Sequence, residues 1–338
     1  MKRSLFLGAL ATAAVTASFA SASTLDDIKA RGVLNCGSNT GLTGFGAPDE
    51  KGEWHGFDVD ICKALAAAIF GDQTKVKFVP LTGETRFTGL ASGEVDLLVR
   101  NSTWTFSRDT DLKFDFVAVN YYDGQGFMVK KELGVSSAKE LDGATVCIQT
   151  GTTTELNLAD FFKSNNIKYT PVNVADDAEA LRQFSVGACD AYTTDASGLA
   201  ATRATLPSPD DYIILPEIIS KEPLGPVVRH GDNAWGDIVR WTYFALVEAE
   251  EKGITKANIE EVAASTTDPE VRRILGLEGD FGKFLGLDPA WAKWAIAANG
   301  NYGEIFEANI GTGTPIKLAR GLNALWTQGG LQYAPPFR

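Results

Sequence analysis

Residues 144–155, Ala-Thr-Val-Cys-Ile-Gln-Thr-Gly-Thr-Thr-Thr-Glu, read as a short apolar strand that passes through a glycine into the start of a helix. Thr152 and Glu155 have the spacing of a capping box, so Thr152 is expected to open a helix that continues through Phe162. Residues 169–174 then read as a strand, 178–186 as a helix closed by Gly187, and 190–192 as a strand running into Thr193-Thr194-Asp195. The same construction occurs earlier in the chain. Residues 32–36 read as a strand, 37–46 as a Gly-rich loop, and 59–70 as an amphipathic helix after Gly56-Phe57-Asp58. A strand at 76–80, a short helix at 86–92 stopped by Gly93, and a strand at 95–99 complete that copy. Strands alternating with helices, twice over, predict two α/β lobes, each with a mostly parallel sheet flanked by helices.

Ligands of such sheets sit beyond the carboxyl ends of the strands. That singles out the loops 37–46, 100–108 and 149–155, together with the strand end at 193–195, and two lobes can turn these crevices toward each other across a cleft. Residues 120–126 and 218–226 flank the second copy and read as the connections between lobes. The chain after about Val227 is expected to return to the first lobe. It is helical in pattern, with Trp235, Trp241, Trp291, Trp294 and Trp326 expected as packing residues. The expected division is 23–121 plus 223–338 for lobe 1, with a helical C-terminal extension, and 122–222 for lobe 2.

With 338 residues, 44% hydrophobic and 22% charged, the chain has the composition of a globular protein, not of a disordered tail, a collagen or a multi-span membrane protein. A net charge of −12 argues against a nucleic-acid binder and against docking on anionic lipid. Lys2 and Arg3 precede an apolar run over 5–20, and Ala20-Ser21-Ala22 offers a small-x-small cleavage pattern. A run of about 16 residues is short for a bilayer core that needs about 20. The first cysteine, Cys36, is too distant for lipid attachment. Residues 1–22 therefore read as a signal peptide cleaved near Ala22, and the expected location is the Gram-negative periplasm.

Cys36, Cys62, Cys147 and Cys189 contain no CxxC pair, and only His55 and His230 could join them, so neither zinc nor any other metal or cofactor is called for. In an oxidising compartment the even count suggests disulfides. Local pairing, Cys36–Cys62 and Cys147–Cys189, is favoured over the two other connectivities, with four buried thiols as the alternative.

Several strings together carry a family resemblance. They are Gly56-Phe57-Asp58-Val59-Asp60, Ser92-Gly93-Glu94-Val95-Asp96, Asn101-Ser102-Thr103-Trp104-Thr105-Phe106-Ser107-Arg108 and Thr150-Gly151-Thr152-Thr153-Thr154. In order and spacing, over roughly residues 30–230, the chain resembles the polar-amino-acid family of periplasmic substrate-binding proteins that serve ABC importers. Tyr121-Tyr122-Asp123-Gly124-Gln125-Gly126, Asp190-Ala191-Tyr192-Thr193-Thr194-Asp195 and the long C-terminal part resemble the general L-amino-acid-binding subgroup. The resemblance implies a type II periplasmic-binding-protein-like fold of two lobes and a monomeric receptor without chemistry of its own. It also implies hinge closure on an L-amino acid, broad in range and favouring Glu, Gln, Asp and Asn, and delivery to an inner-membrane ABC permease and its ATPase.

A zwitterion needs cations and amide donors at one end, and anions and acceptors at the other. The resemblance assigns Arg108 to the α-carboxylate, where a guanidinium fork can meet two oxygens. Thr103 adds donors, and Thr152 adds backbone amides at a helix start from the opposite lobe. Gly151 would let the backbone come close. Asp195 is assigned to the α-ammonium, with the Asn101 carbonyl and the Thr103 hydroxyl beside it. Phe45 stands where the family has an aromatic wall, and Arg86 and Arg100 stand where they could meet an acidic or amide side chain. Each assignment has a plainer rival. Arg108 could pair with Asp109, Asp111 or Asp115 at the surface, Asp195 could cap a helix, Phe45 could be core, and the two other arginines could pair with Glu84 or Glu94. The functional alternative is an exported cyclohexadienyl or arogenate dehydratase on the same scaffold, with His55 or a cleft glutamate as its acid or base.

Overall fold

The structure, a computed structural model, describes residues 23–338. The signal peptide expected at 1–22 lies outside the described residues.

Each lobe is built on a five-stranded sheet. In lobe 1 the order is Val76–Pro80, Leu34–Ser38, Leu97–Leu98, Val227–Arg229 and Phe114–Phe116. In lobe 2 it is Tyr169–Val174, Ala144–Gln149, Ala191–Asp195, Gln125–Lys130 and Tyr212–Ile214. The first three strands of each sheet are parallel, and the fourth runs antiparallel to both of its neighbours. That fourth strand is, in both lobes, the first one entered after the chain crosses over. Parallel strands end at the cleft, so a chain arriving from the other lobe starts at the cleft and must run the opposite way. The two crossings, Tyr121–Asp123 and Glu222–Leu224, pair with each other as an antiparallel ribbon.

The helix Phe57–Phe70 begins where Gly56, at φ 135°, lets the chain pass close to the Phe45 carbonyl, and it ends at Gly71 in the left-handed region. Asp58 and Asp60 lie in its first turn, where the helix dipole favours acids. It is apolar nearly all round because it is enclosed between the sheet and the helix Trp291–Asn299. The C-terminal part continues the lobe 1 core through the helices Asn233–Glu251, Trp291–Asn299 and Tyr302–Asn309. Trp235 and Trp291 are fully buried there, and Trp241 and Trp294 are partly so. Trp326 departs from the expectation. It is half exposed, with its indole N–H donating to Glu251 at 2.9 Å.

Both disulfides join cysteines within one lobe. Cys36–Cys62 ties the first strand to the helix beside it, and Cys147–Cys189 ties the strand Ala144–Gln149 to the approach of Ala191–Asp195. Closing loops of 26 and 42 residues is worth about 3.5 and about 4 kcal/mol by the chain-entropy relation. The capping box is half formed. Thr152 Oγ1 accepts from the Glu155 N–H at 3.3 Å, but the Glu155 carboxylate accepts from Gly151 N–H instead of reaching the cap residue.

Candidate binding site

The strand ends and loops of the two sheets meet across the hinge ribbon. Asn39 of lobe 1 donates to Asp177 of lobe 2 at 3.1 Å. Gly83 lies so near the Thr150 carbonyl that a Cβ would stand 2.7 Å from it. Gly151, at φ 70°, is closed upon by Glu84, and a Cβ there would fall 2.9–3.0 Å from the glutamate. The close approach at Gly151 is therefore to the other lobe and not to the cavity. These contacts define a closed form.

Between the lobes lies a cavity lined from lobe 1 by Asn39, Leu42, Arg86, Arg100, Asn101 and Thr103. Lobe 2 contributes Gln149, Thr152, Thr153, Thr154, Asp177, Thr194, Asp195 and Gly198. It encloses about 30 Å³, room for about one or two waters, so anything larger enters only when the lobes part. Larger cavities, of about 220 Å³ beneath Phe284 and about 310 Å³ beside Thr43, lack such convergent charge.

Arg86, Arg100 and Arg108 are all buried, and none forms an ion pair within 4 Å among the described residues. Arg86 donates to the Asn101 carbonyl at 3.2 Å and to Ser102 Oγ at 3.4 Å, not to Glu84 or Glu94. Its Nε, like that of Arg100, is buried without a partner. Burial, and after it the neighbouring Arg100 and Arg108, pushes the Arg86 guanidinium well below its usual range. Burial lowers Arg100 as well, against the pull of Asp177 and Asp58. Two buried, unpartnered donors on residues that line one cavity, beside mutually repelling cations, are what an anion would relieve.

Arg108 stands behind the lining. It donates to the Thr103 carbonyl at 2.9 Å, packs over the Phe87 ring, and is lowered to about 10, chiefly by burial. Thr103 forms the wall in front of it.

The acceptors lie around Asp195. This residue occupies the cap position of the helix Ala196–Thr205, yet its side chain makes no capping bond, so the plain capping role does not use the carboxylate. Burial first, then Asp123 and Glu222, raises its carboxyl well above the usual range. Such a site favours a cation or a proton. Asn101 supports the same end, with a buried Oδ1 that has no partner and a backbone held at φ 46°. Its N–H donates to Asp58, which Asn120 also contacts and which burial pushes up to about 7. Thr152 opens the 12-residue helix Thr153–Ser164, and Thr152, Thr153 and Thr154 at its start line the cavity from lobe 2.

Phe45 is corrected from cleft wall to core. It is fully buried, packs edge-on against Phe57 and Tyr121, and does not line the cavity. His55 is exposed on the hairpin Ala47–His55 beside Asp49, away from the arginines. The reading of residue types missed Asp177. Two adjacent acids before a helix read as an ordinary first turn, and nothing local marks which of them faces the other lobe. Asn39, Gln149 and Thr194 fell within loops singled out for position but not for chemistry.

Residues 34–271 match the family of bacterial extracellular solute-binding proteins, family 3. The chain is 75% identical to the glutamate/glutamine/aspartate/asparagine-binding protein of Rhodobacter capsulatus over the whole length of both. It is 59% identical to the general L-amino acid-binding periplasmic protein of Rhizobium johnstonii, again over the full length of both. Among solved structures, an ABC transporter periplasmic binding protein from Brucella ovis with glutathione bound is 57% identical. It superposes with a TM-score of 0.92, over 94% of this chain and 100% of that one.

Proposed function

The chain belongs to the bacterial extracellular solute-binding proteins of family 3, and from that membership we propose that it is a periplasmic receptor for L-amino acids, broad in range and favouring Glu, Gln, Asp and Asn. The observation that carries this reading is the polarity of the cleft. Buried, unpaired arginine donors from lobe 1 stand opposite a buried carboxylate, Asp195, from lobe 2. A zwitterion bridging them satisfies both, and only a closed cleft presents both, so ligand biases the hinge toward closure.

In this reading Arg108, the Thr103 backbone amide and the amides at Thr152 hold the α-carboxylate, while Asp195, Asn101 and the Thr103 hydroxyl hold the α-ammonium. Arg86 and Arg100 take a side-chain carboxylate or amide. Gly151 serves by letting the lobes approach. The lobes are 23–121 plus 223–338 and 122–222, hinged on the ribbon between them. The receptor works as a monomer, and its closed form is what an inner-membrane permease with its ATPase receives. No helix among the described residues is long and apolar enough to cross a membrane.

The relatives are named as binding proteins, and the cleft supports binding over catalysis. His55 stands outside it, and the cleft glutamate Glu222 is occupied as an acceptor on all sides. The test is a thermal-shift panel on protein unfolded and refolded to strip carried ligand, with the twenty L-amino acids, glutathione and prephenate. A ligand at about 100 times its Kd adds about 2.7 kcal/mol, enough to raise Tm by a few degrees. Shifts led by the acidic and amide amino acids are expected. A response to prephenate alone, with turnover, would replace the receptor by the dehydratase.

A further inference from the structure

Glu222 lies on the second strand of the hinge ribbon and is 1% exposed. Its carboxylate accepts from Thr103 Oγ1 at 2.5 Å, Thr153 Oγ1 at 2.9 Å, Asn157 Nδ2 at 2.7 Å and Ser220 Oγ at 2.7 Å. Thr103 belongs to lobe 1, whereas Thr153 and Asn157 belong to the lobe 2 helix Thr153–Ser164. A hinge carboxylate bonded to both lobes keeps all these partners only while the lobes are together.

The direction of these bonds has a chemical consequence. A carboxylate only accepts, and a threonine hydroxyl has one proton. Thr103 and Thr153 both give that proton to Glu222, and their oxygens stand 3.3 Å apart in the cavity wall. What the two hydroxyls present to the cavity is therefore lone pairs. An ammonium group, with three donors and no acceptor, needs that surface, and a carboxylate would be repelled by it. The Thr103 carbonyl is meanwhile held by Arg108 at 2.9 Å, so the residue is fixed from both sides.

We propose that Glu222 is a positioning residue that holds the Thr103 and Thr153 hydroxyls, one from each lobe, as acceptors for the ligand's ammonium group, and so couples recognition of that group to closure. This rests on the amino-acid reading of the cleft. Glu222→Gln keeps the size but puts N–H donors against groups that are already donors. At least one threonine hydroxyl must then turn its proton elsewhere.

The experiment is a double-mutant cycle on the refolded mature protein with L-glutamine, with affinity read by calorimetry and rates by stopped-flow fluorescence. E222Q is expected to bind about tenfold or more weakly, chiefly through faster dissociation. In the T103V background the same change should cost distinctly less than in the wild type, because one of the two hydroxyls through which Glu222 acts is gone. A residue that merely stabilised the fold would give additive losses. T153V, which leaves Glu222 in place, should also speed dissociation several-fold, and it carries the test if E222Q does not fold. Wild-type affinity in E222Q, additive losses in the double variant, or unchanged dissociation in T153V would each overturn the role of Glu222. Wild-type protein that binds no amino acid would defeat the receptor reading instead.

Discussion

The two lobes share a sheet order and an antiparallel entry strand, yet they bring opposite charge to the cleft. Lobe 1 contributes Arg86 and Arg100 to the cavity wall, with Arg108 behind them. Lobe 2 contributes Asp177, Asp195 and the start of the helix Thr153–Ser164. They differ in bulk as well. The core of lobe 1 runs on into the C-terminal helices, whereas lobe 2 has two smaller apolar clusters, divided between Phe127, Val146 and Phe162 and Met128, Cys147 and Phe184. A duplicated scaffold thus need not carry a duplicated site. Placing the arginines on one lobe and the aspartates on the other makes a zwitterion the natural bridge, and makes closure the step at which its contacts are completed.

The sharpest way to break this comparison is to remove the lobe 2 charge. Asp195→Ala should weaken amino-acid binding by about 2–5 kcal/mol, as when one partner of a buried charge pair is lost. Calorimetry checks it, and near-wild-type affinity would remove Asp195 from the ammonium site.

The complementary change in lobe 1 separates binding from stability. Arg86 is buried with an unpaired Nε and is repelled by its neighbours. Arg86→Met should therefore leave the ligand-free Tm unchanged or raised, while binding of glutamate falls about tenfold or more and that of an aliphatic amino acid falls less. Equal losses for both ligands would move Arg86 away from the ligand side chain.

A smaller effect concerns pH. Burial raises the Asp58 carboxyl to about 7 against the opposing bonds from Asn120 and Asn101. With the folded value above the unfolded one, the native state holds the extra proton, so the contribution of Asp58 to stability falls as pH rises from about 4 through 7. Melting curves at pH 5, 6.5 and 8 should show wild type losing ground to Asp58→Asn as pH rises. A difference independent of pH would deny the shift.

The smallest effect tests the bulk of lobe 1 as a hinge support. Beyond residue 271, where the family match ends, Asn323 accepts from the Tyr122 N–H at 2.7 Å and donates to the Tyr122 carbonyl at 3.2 Å. Tyr302 donates to the Asn120 carbonyl at 2.9 Å beside it. These bonds hold the first hinge strand from the lobe 1 side. Asn323→Ala should change ligand dissociation a few-fold, with little loss of Tm. Stopped-flow fluorescence would detect it, and an unchanged rate would make the extension a bystander of the hinge.

Much of this was legible beforehand, for reasons that differ by residue. The strands at 76–80 and 169–174 and the helix at 86–92 follow from apolar spacing and glycine stops, which are local properties of the chain. The local disulfides follow from an even cysteine count split between the two copies. Arg108 and Asp195 stood out by motif, but a motif does not say that Thr103 stands in front of Arg108 or that Asp195 leaves its cap unused. Phe45 was misplaced because an aromatic at a loop has the same sequence pattern whether it faces a ligand or packs against Phe57 and Tyr121.

By itself the sequence determined the repeated α/β construction, the acidic composition and part of the set of charged and polar residues that line the cleft, because periodicity, turn residues and side-chain chemistry are carried by neighbours along the chain. Only the tertiary structure decided which of those groups converge. Asp177 and Glu222 lie 138 and 119 residues from the lobe 1 groups they bond, Asn39 and Thr103. Pairings that distant arise from two crossings of the hinge and the closure of one lobe on the other, and no local pattern encodes either.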